Sequence, residues 1–405
     1  MQIRSPFETL IRKSLRHFTF SFLLCVGWAF LVSADERIRG EFEHQDGLMI
    51  GCSEMLRDLP ELFVDLAEHT SHRIPLIALV NNVAEYEEAL NLLQENGVAS
   101  SHVHFFESHH DTMWTRDYGP RILERDGERP IVLDAQYEES RSWDDDLPAR
   151  FAASTTLQHR LVPLGIEGGN LLLNGKGLAL TAGYPPNAEL FTAEEQAAFI
   201  ASLKSFYRLN QVVVLENLIG EPTGHVDMFA TFTDSHTVIV GQYREQYDPE
   251  NAAILNRNAE RLSQVETPEG PLTVLRIPMP PNEDDVWRSY TNVVFANGVL
   301  LVPIYPGIDP AGRLAALKTF STALPNWDVK TIDASGVIQS EGALHCVVMN
   351  LGHLGVPLNF PPPTRLPDDD DLPWTPDWDL ETKRILAALD EADSNISPPP
   401  NTTIR

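Results

Sequence analysis

The sequence predicts an α/β fold made of five similar units, and three observations point to it. A fixed order of helix, single strand, loop and hairpin recurs along the body of the chain. The hairpins turn at Asp126-Gly127, near Asn174-Gly175, around Asp234-Ser235 and at Asn297-Gly298, residues suited to tight reversals between antiparallel strands. The fifth unit is one strand short, and the early strand Leu48–Ile50 can complete it, closing a ring whose radial repetition protects sheet edges. An ordinary open α/β sheet is the alternative on this pattern alone.

Taken in order, a helix over Glu54 to His69 precedes the apolar strand Leu76–Val80. A second helix runs from Ala84 to Asn96 and stops at Gly97, followed by strand Val103–Phe106. The first hairpin pairs Tyr118–Arg125 with Pro130–Ala135, and strand Leu161–Leu164 leads to the hairpin over Asn170–Thr181. Thr192 and Glu195 form a capping box for a helix whose apolar face includes Ala198, Phe199, Leu203 and Phe206. Strand Val212–Leu215, hairpin Val226–Gly241, a helix from Pro249 to Val265 and strand Thr273–Ile277 come next. Hairpin Asn292–Pro303, a helix capped by Asp309 with Pro310 at its first position, strand Val329–Ile332 and a last strand Leu344–Met349 end the series.

The flanks have a different character. Arg4, Arg12, Lys13 and Arg16 precede the apolar stretch Phe18 to Val32, and Val32-Ser33-Ala34 offers small residues for cleavage after Ala34. That apolar core is about 15 residues, short of the roughly 20 of a membrane span. A signal peptide over residues 1–34 and an exported mature chain are expected, with an uncleaved anchor as the alternative. Residues 361–405, rich in Pro and Asp, resist packing and are read as a disordered or draped tail in which Trp374 and Trp378 are the apolar contacts.

The chain has 58 acidic and 30 basic residues, a formal charge of −28. Loss of the basic leader makes the remainder more acidic still. Such a surface repels phosphate backbones, which excludes nucleic acid as a partner, and attracts cations. Cleavage also leaves only Cys52 and Cys346, too few for a disulfide-dependent scaffold.

The reactive residues recur at one place per unit, 50 to 67 residues apart, near the head of each hairpin. Asp117 lies in Trp114-Thr115-Arg116-Asp117-Tyr118-Gly119-Pro120, and Glu167 in Glu167-Gly168-Gly169-Asn170. His225 and Asp227 lie in Thr223-Gly224-His225-Val226-Asp227, Asn292 in Ser289-Tyr290-Thr291-Asn292, and Cys346 in Gly342-Ala343-Leu344-His345-Cys346. A ring would bring these positions together. Several carboxylates without an evident basic partner call for a cation, and a guanidinium suits them because its planar N–H fork pairs bidentately with carboxylates. A thiolate beside such a cation has a lowered pKa and becomes a nucleophile. Alternation along a strand would put His225 and Asp227 on one face. A second cluster, His102, His104, His109, His110 and Asp111, has metal-ligand chemistry but no tight metal-binding spacing.

Together the five motifs resemble the agmatine deiminase and Porphyromonas-type peptidylarginine deiminase family of the guanidine-modifying superfamily, over about Gly47 to Leu351. The resemblance implies a five-bladed αβ propeller (the pentein fold) occupying residues 35–360. It implies that Cys346 attacks the guanidinium carbon and that His225 serves as acid and then base. Asp117 and Asp227 grip the guanidinium nitrogens. Asn292, Glu167 and Trp114 are the implied substrate-binding residues, and no metal or organic cofactor is implied. Two departures, Ser340-Glu341-Gly342-Ala343 before the His-Cys pair and Val347-Val348-Met349-Asn350 after it, bear on substrate choice. Tyr118, with the expected export, tilts towards the peptidylarginine branch. Agmatine, free arginine and an arginine-containing peptide all stay open as substrates, and Arg121, Arg125 and Arg141 are candidate receptors for a substrate carboxylate. Two other readings compete: a non-catalytic binding module for guanidino ligands and an amidinotransferase.

Overall fold

The computed structural model describes residues 36–183, 192–282 and 284–363. The expected leader lies outside the described residues, as does the tail beyond Pro363. Within them the fold is mixed α/β, and five sheets share one strand order. In each, a short strand pairs antiparallel with a middle strand, which pairs parallel with a third.

The order is plainest in the third and fourth sheets. Ala230–Asp234 runs antiparallel to Thr237–Gln242, which is parallel to Thr273–Pro278. Val294–Ala296, Val299–Ile304 and Asp328–Asp333 repeat the arrangement. A helix bridges each parallel pair, Pro249–Ser263 in one and Pro310–Ala323 in the other, as a crossover connection requires. The second sheet uses Leu172–Leu173, Leu178–Ala182 and Gln211–Leu215. The first uses Arg121–Arg125, Ile131–Gln136 and Gln158–Gly165, with Glu36–Arg37 added at its edge.

The last sheet joins the two ends of the body. Met349–Asn350 pairs antiparallel with Leu48–Gly51, Met349 opposite Met49, and that strand continues parallel to Leu76–Val80 and Val103–Glu107. Leu76–Val80 is buried along its whole length, as expected of a strand covered on both faces. The largest apolar cluster spans this seam and the fourth sheet, from Leu48 and Ile50 to Val294, Leu301 and Val347.

Local chemistry explains most boundaries. Thr192 accepts from Glu195 N while the Glu195 carboxylate returns to Thr192 N, the expected capping box. Asn297 and Gly298 both have positive φ, 46° and 91°, which the tightest hairpin turn needs. Asp309 caps its helix through Gly312 N.

Several expectations are corrected. The helix expected over Glu54–His69 is two, Cys52–Asp58 and Pro60–Thr70, because Pro60 lacks the donor needed to continue the first. Leu147–Thr155 is a helix that the acidic run before it obscured. Ala198 is exposed rather than part of a buried face, and only Leu203 in that helix is fully buried.

Two further corrections concern the reactive segments. Leu344–Met349 is not a strand: His345–Val347 forms one 3-10 turn, and only Met349–Asn350 enters the sheet. The Asn292 carboxamide oxygen takes the N–H groups of His345 and Cys346, the donors a ladder would have used. Val226–Met228 is likewise a 3-10 turn, so strand alternation does not relate His225 to Asp227.

Replacing Thr192 with Ala should remove the cap and lower stability by about 1 kcal/mol, read as a shifted urea midpoint with unchanged slope.

Candidate active site

Four of the five reactive positions sit on or beside a single helical turn, and the turns explain how they converge. Asp117 is on Thr115–Tyr118, Glu167 precedes Gly168–Asn170, His225 and Asp227 bracket the start of Val226–Met228, and Cys346 is on His345–Val347. Asn292 lies just before its hairpin. A single turn projects side chains from a short, fixed piece of backbone.

Glycine lets the turns touch. A Cβ on Gly168 would stand 1.9 Å from the carbonyl oxygen of Arg116. A Cβ on Gly169 would stand 2.6 Å from His225 Nδ1, 2.9 Å from Asp117 Oδ1 and 3.1 Å from Asp227 Oδ2. Three reactive groups therefore surround one bare Cα. Gly169 N also donates to Asp117 Oδ1 at 2.9 Å.

His225 is pinned from both sides, with Nε2 2.5 Å from Glu167 Oε2 and Nδ1 3.7 Å from Asp117 Oδ1. Burial opposes its charged form, but Asp117 and Glu167 outweigh burial and raise its pKa to about 10. Burial and neighbouring acids push Asp117 upward despite His225. Glu167 moves down, since the imidazolium overcomes its desolvation. His225 is thus a cation bonded to the Glu167 carboxylate.

On the other side, Cys346 Sγ is 3.3 Å from Asn292 Nδ2 and 3.9 Å from Asp227 Oδ2. Cys346 is 3% exposed, and burial, with Asp227 and Asp117, holds its thiol well above the ordinary range. Asp227 Oδ2 also accepts from His345 Nδ1 at 2.7 Å, while Asp227 Oδ1 is buried without a protein partner. Asp227 is therefore the neighbour shared by the thiol, the Gly169 cluster and a second histidine.

A cavity of about 220 Å³ opens on the Glu167 and His225 side of the cluster, lined also by Glu221, Tyr137, Asn170 and Phe199; Cys346, Asp117, Asp227 and Asn292 lie behind that lining. Trp114 stands apart from it, against Gly342 and beside the Cβ of Cys346: a Cβ on Gly342 would lie 2.4 Å from the indole. Of the arginines considered as carboxylate receptors, none lines the cavity. Arg121 donates to the carbonyls of Gly168 and Leu171, Arg125 to that of Arg129, and Arg141 to the Tyr137 hydroxyl. Tyr118 is buried with its hydroxyl on Thr112 O, so it says nothing about substrate.

The histidine cluster does not form a metal site. His110 Nδ1 faces Ser108 O, His102 Nε2 faces Ala67 O, and the Asp111 carboxylate accepts from Trp143 N. Among the described residues no group of three or more His, Cys, Asp or Glu is arranged to hold a metal ion.

Comparison with known proteins decides the family, whose sequence pattern, described as Porphyromonas-type peptidyl-arginine deiminase, matches residues 37–351. The chain belongs to this deiminase family. Its members are hydrolases acting on carbon–nitrogen bonds, and this chain is one. A protein of Legionella pneumophila (strain Paris), provisionally named agmatine deiminase, is 26% identical over 290 residues, 67% of this chain and 80% of the relative. A provisionally named agmatine deiminase of Mycoplasma mycoides subsp. mycoides SC is 25% identical over 347 residues, 75% and 89% of the two chains. The structure of the Enterococcus faecalis agmatine deiminase aligns with a TM-score of 0.68 at 19% identity, covering 81% of this chain and 98% of that one. A cysteine-to-serine variant of the C. jejuni agmatine deiminase with substrate bound aligns at 0.67 and 21% identity, covering 78% and 96%. These structures share the fold of this deiminase-family chain.

Sequence reasoning missed three participants. His345 was noted only as the neighbour of Cys346, Glu41 had no motif around it, and Gly169 stood only as a member of the Glu167-Gly168-Gly169-Asn170 run. The Asn292-to-His345 backbone contact, which aims the His345 ring, leaves no trace in composition or periodicity.

Substituting Ala for Gly169 should leave the chain folded but reduce activity by about 100-fold or more, because the methyl displaces His225, Asp117 and Asp227 from their working geometry. Steady-state kinetics alongside a thermal melt checks this.

Proposed function

We propose that the chain hydrolyses a small guanidino substrate to a ureido product and ammonia through a covalent intermediate on Cys346. The observation that carries this reading is the Asp227 carboxylate: one oxygen is pinned by His345 near the thiol, and the other is buried without a partner, an acceptor left for a substrate N–H.

In this reading the guanidinium lies between Asp117 and Asp227 with its carbon over Cys346 Sγ. The thiol proton is lost to solvent, the sulfur forms a bond to that carbon, and one C–N bond breaks as the nitrogen leaves with a proton from His225; the released proton and ammonia together make ammonium. Ammonia departs, leaving an S-alkylthiouronium. His225, now neutral, takes a proton from water as its oxygen bonds to the carbon. Collapse breaks the C–S bond and returns the thiol. Asn292 supports the sulfur, and Glu167 fixes the imidazole that moves the protons. Water and these side chains supply every atom the reaction needs.

The cavity favours a substrate with a cationic or neutral far end. Glu167 and Glu221 are its acidic lining residues, and no Lys or Arg lines it among the described residues. Its volume suits a molecule of agmatine size better than a peptide. We further propose that the five sheets are blades of one propeller over residues 35–360. Their shared strand order and the pairing of Met349–Asn350 with Leu48–Gly51 support this. Export after cleavage near Ala34 belongs to the same proposal.

Ammonia release should be measured side by side on agmatine, free arginine and an arginine-containing peptide, with agmatine expected fastest. Cys346→Ala should lose about three orders of magnitude or more in kcat; ammonia release at the wild-type rate from that variant would refute the mechanism. Detection of an amidino-transfer product in place of ammonia would favour the transferase reading.

The acid–base assignment has its own check. Removing the Glu167 charge lowers the pKa of His225, so the proton needed by the leaving nitrogen is lost at a lower pH. The alkaline limb of the kcat/KM profile should therefore move to lower pH in Glu167→Gln. An unmoved limb would show that His225 is not the acid.

A further inference from the structure

His345 takes no part in the proton transfers above, yet it is among the most heavily bonded side chains near Cys346. It is 3% exposed, with Nδ1 2.7 Å from Asp227 Oδ2 and Nε2 2.8 Å from Glu41 Oε2. A ring whose two nitrogens both face carboxylates donates from both only as an imidazolium. Glu41 comes from the stretch between strands Glu36–Arg37 and Leu48–Gly51, far from Cys346 in sequence. Its other oxygen meets Arg116 Nη1 at 2.6 Å, and Arg116 Nη2 donates to Asn350 Oδ1 at 3.0 Å.

We infer that Glu41 and His345 are a positioning pair for Asp227, setting the angle at which its unpartnered oxygen meets the substrate. This rests on the reading in which Asp227 grips the guanidinium. Without the pair, the carboxylate would keep only the long contact from Cys346 Sγ and would be free to rotate. With it, Oδ2 is fixed and Oδ1 has one direction.

The charges around the ring are consistent with this role. Burial works against the imidazolium and Arg116 adds to that, but Glu41 and Asp227 outweigh both and the His345 pKa is raised. Burial likewise opposes Glu41 ionisation, yet Arg116 and His345 hold its carboxyl well below the ordinary range. The bland account is a buried ion-pair network that only stabilises the fold.

Two substitutions separate these accounts, because an Asn amide nitrogen falls near Nδ1 of a histidine and a Gln amide nitrogen near Nε2. His345→Asn keeps the donor to Asp227, and His345→Gln keeps only the contact to Glu41. With ammonia release from the best wild-type substrate as the assay, His345→Asn should stay within about tenfold of wild-type kcat. His345→Gln should fall about 100-fold, mostly in kcat, since misaiming costs orientation before it costs binding. Equal kcat in the two variants, or losses that simply track the fall in Tm, would overturn the inference. Glu41→Gln keeps a hydrogen-bond partner and removes the charge, so it decides the matter if neither His345 variant folds. A loss of about tenfold in kcat at unchanged Tm supports the pair, and wild-type kcat overturns it. Should wild type release ammonia from none of the three substrates, the parent reading fails instead, and the two failures stay distinct.

Discussion

Burial of the Asp227 carboxylate beside Cys346 is the constraint to which the rest of the site answers. A buried, unpaired carboxylate costs several kcal/mol or takes up a proton. His345 supplies the compensating cation, which needs a second carboxylate on its far nitrogen, and Glu41 provides it. Glu41 in turn calls for Arg116, itself 1% exposed. Charge alternates along the series, so each member is tolerated only because of the next. The series on the opposite side, Asp117, His225 and Glu167, follows the same rule.

Counting both series leaves four carboxylates facing three cations. A single positive charge would complete the set, which is what a guanidinium brings. The upward push on Asp117 comes first from burial, and Glu167 and Asp227 add to it. A bound cation would reverse that pressure. In the proposed reading this is what would distinguish the cluster from a self-satisfied structural network, although buried Arg121 adds a further positive charge near Asp117 and Glu41.

Much of this was readable from residue order. The recurrence of a polar motif near the head of each hairpin located every group that now surrounds Gly169 or Cys346. The hairpin turns and most crossover helices followed from Asn-Gly, Asp-Gly and capping signals. What escaped had a common physical cause. The 3-10 turns at Val226–Met228 and His345–Val347 form because Asn170 and Asn292 take backbone groups from distant segments, and such tertiary contacts override strand propensity. Glu41 escaped because its partners are 75 and 304 residues away in the sequence. A carboxylate in an irregular stretch carries no periodic signal, and only the fold shows that it reaches His345, the neighbour of Cys346.

The raised thiol pKa fits the same logic. Burial beside Asp227 and Asp117 disfavours the thiolate of Cys346. Alkylation and oxidation both act on the thiolate, so a thiol held protonated resists them. A guanidinium seated between the two aspartates would cancel the charges that hold the proton on sulfur, and would do so only while its carbon lies within reach. Recognition and activation would then be one electrostatic event. In the proposed reaction a neutral molecule of the same shape would bind without producing a nucleophile, so selectivity for a cation would arise in the reactive step as well as in binding.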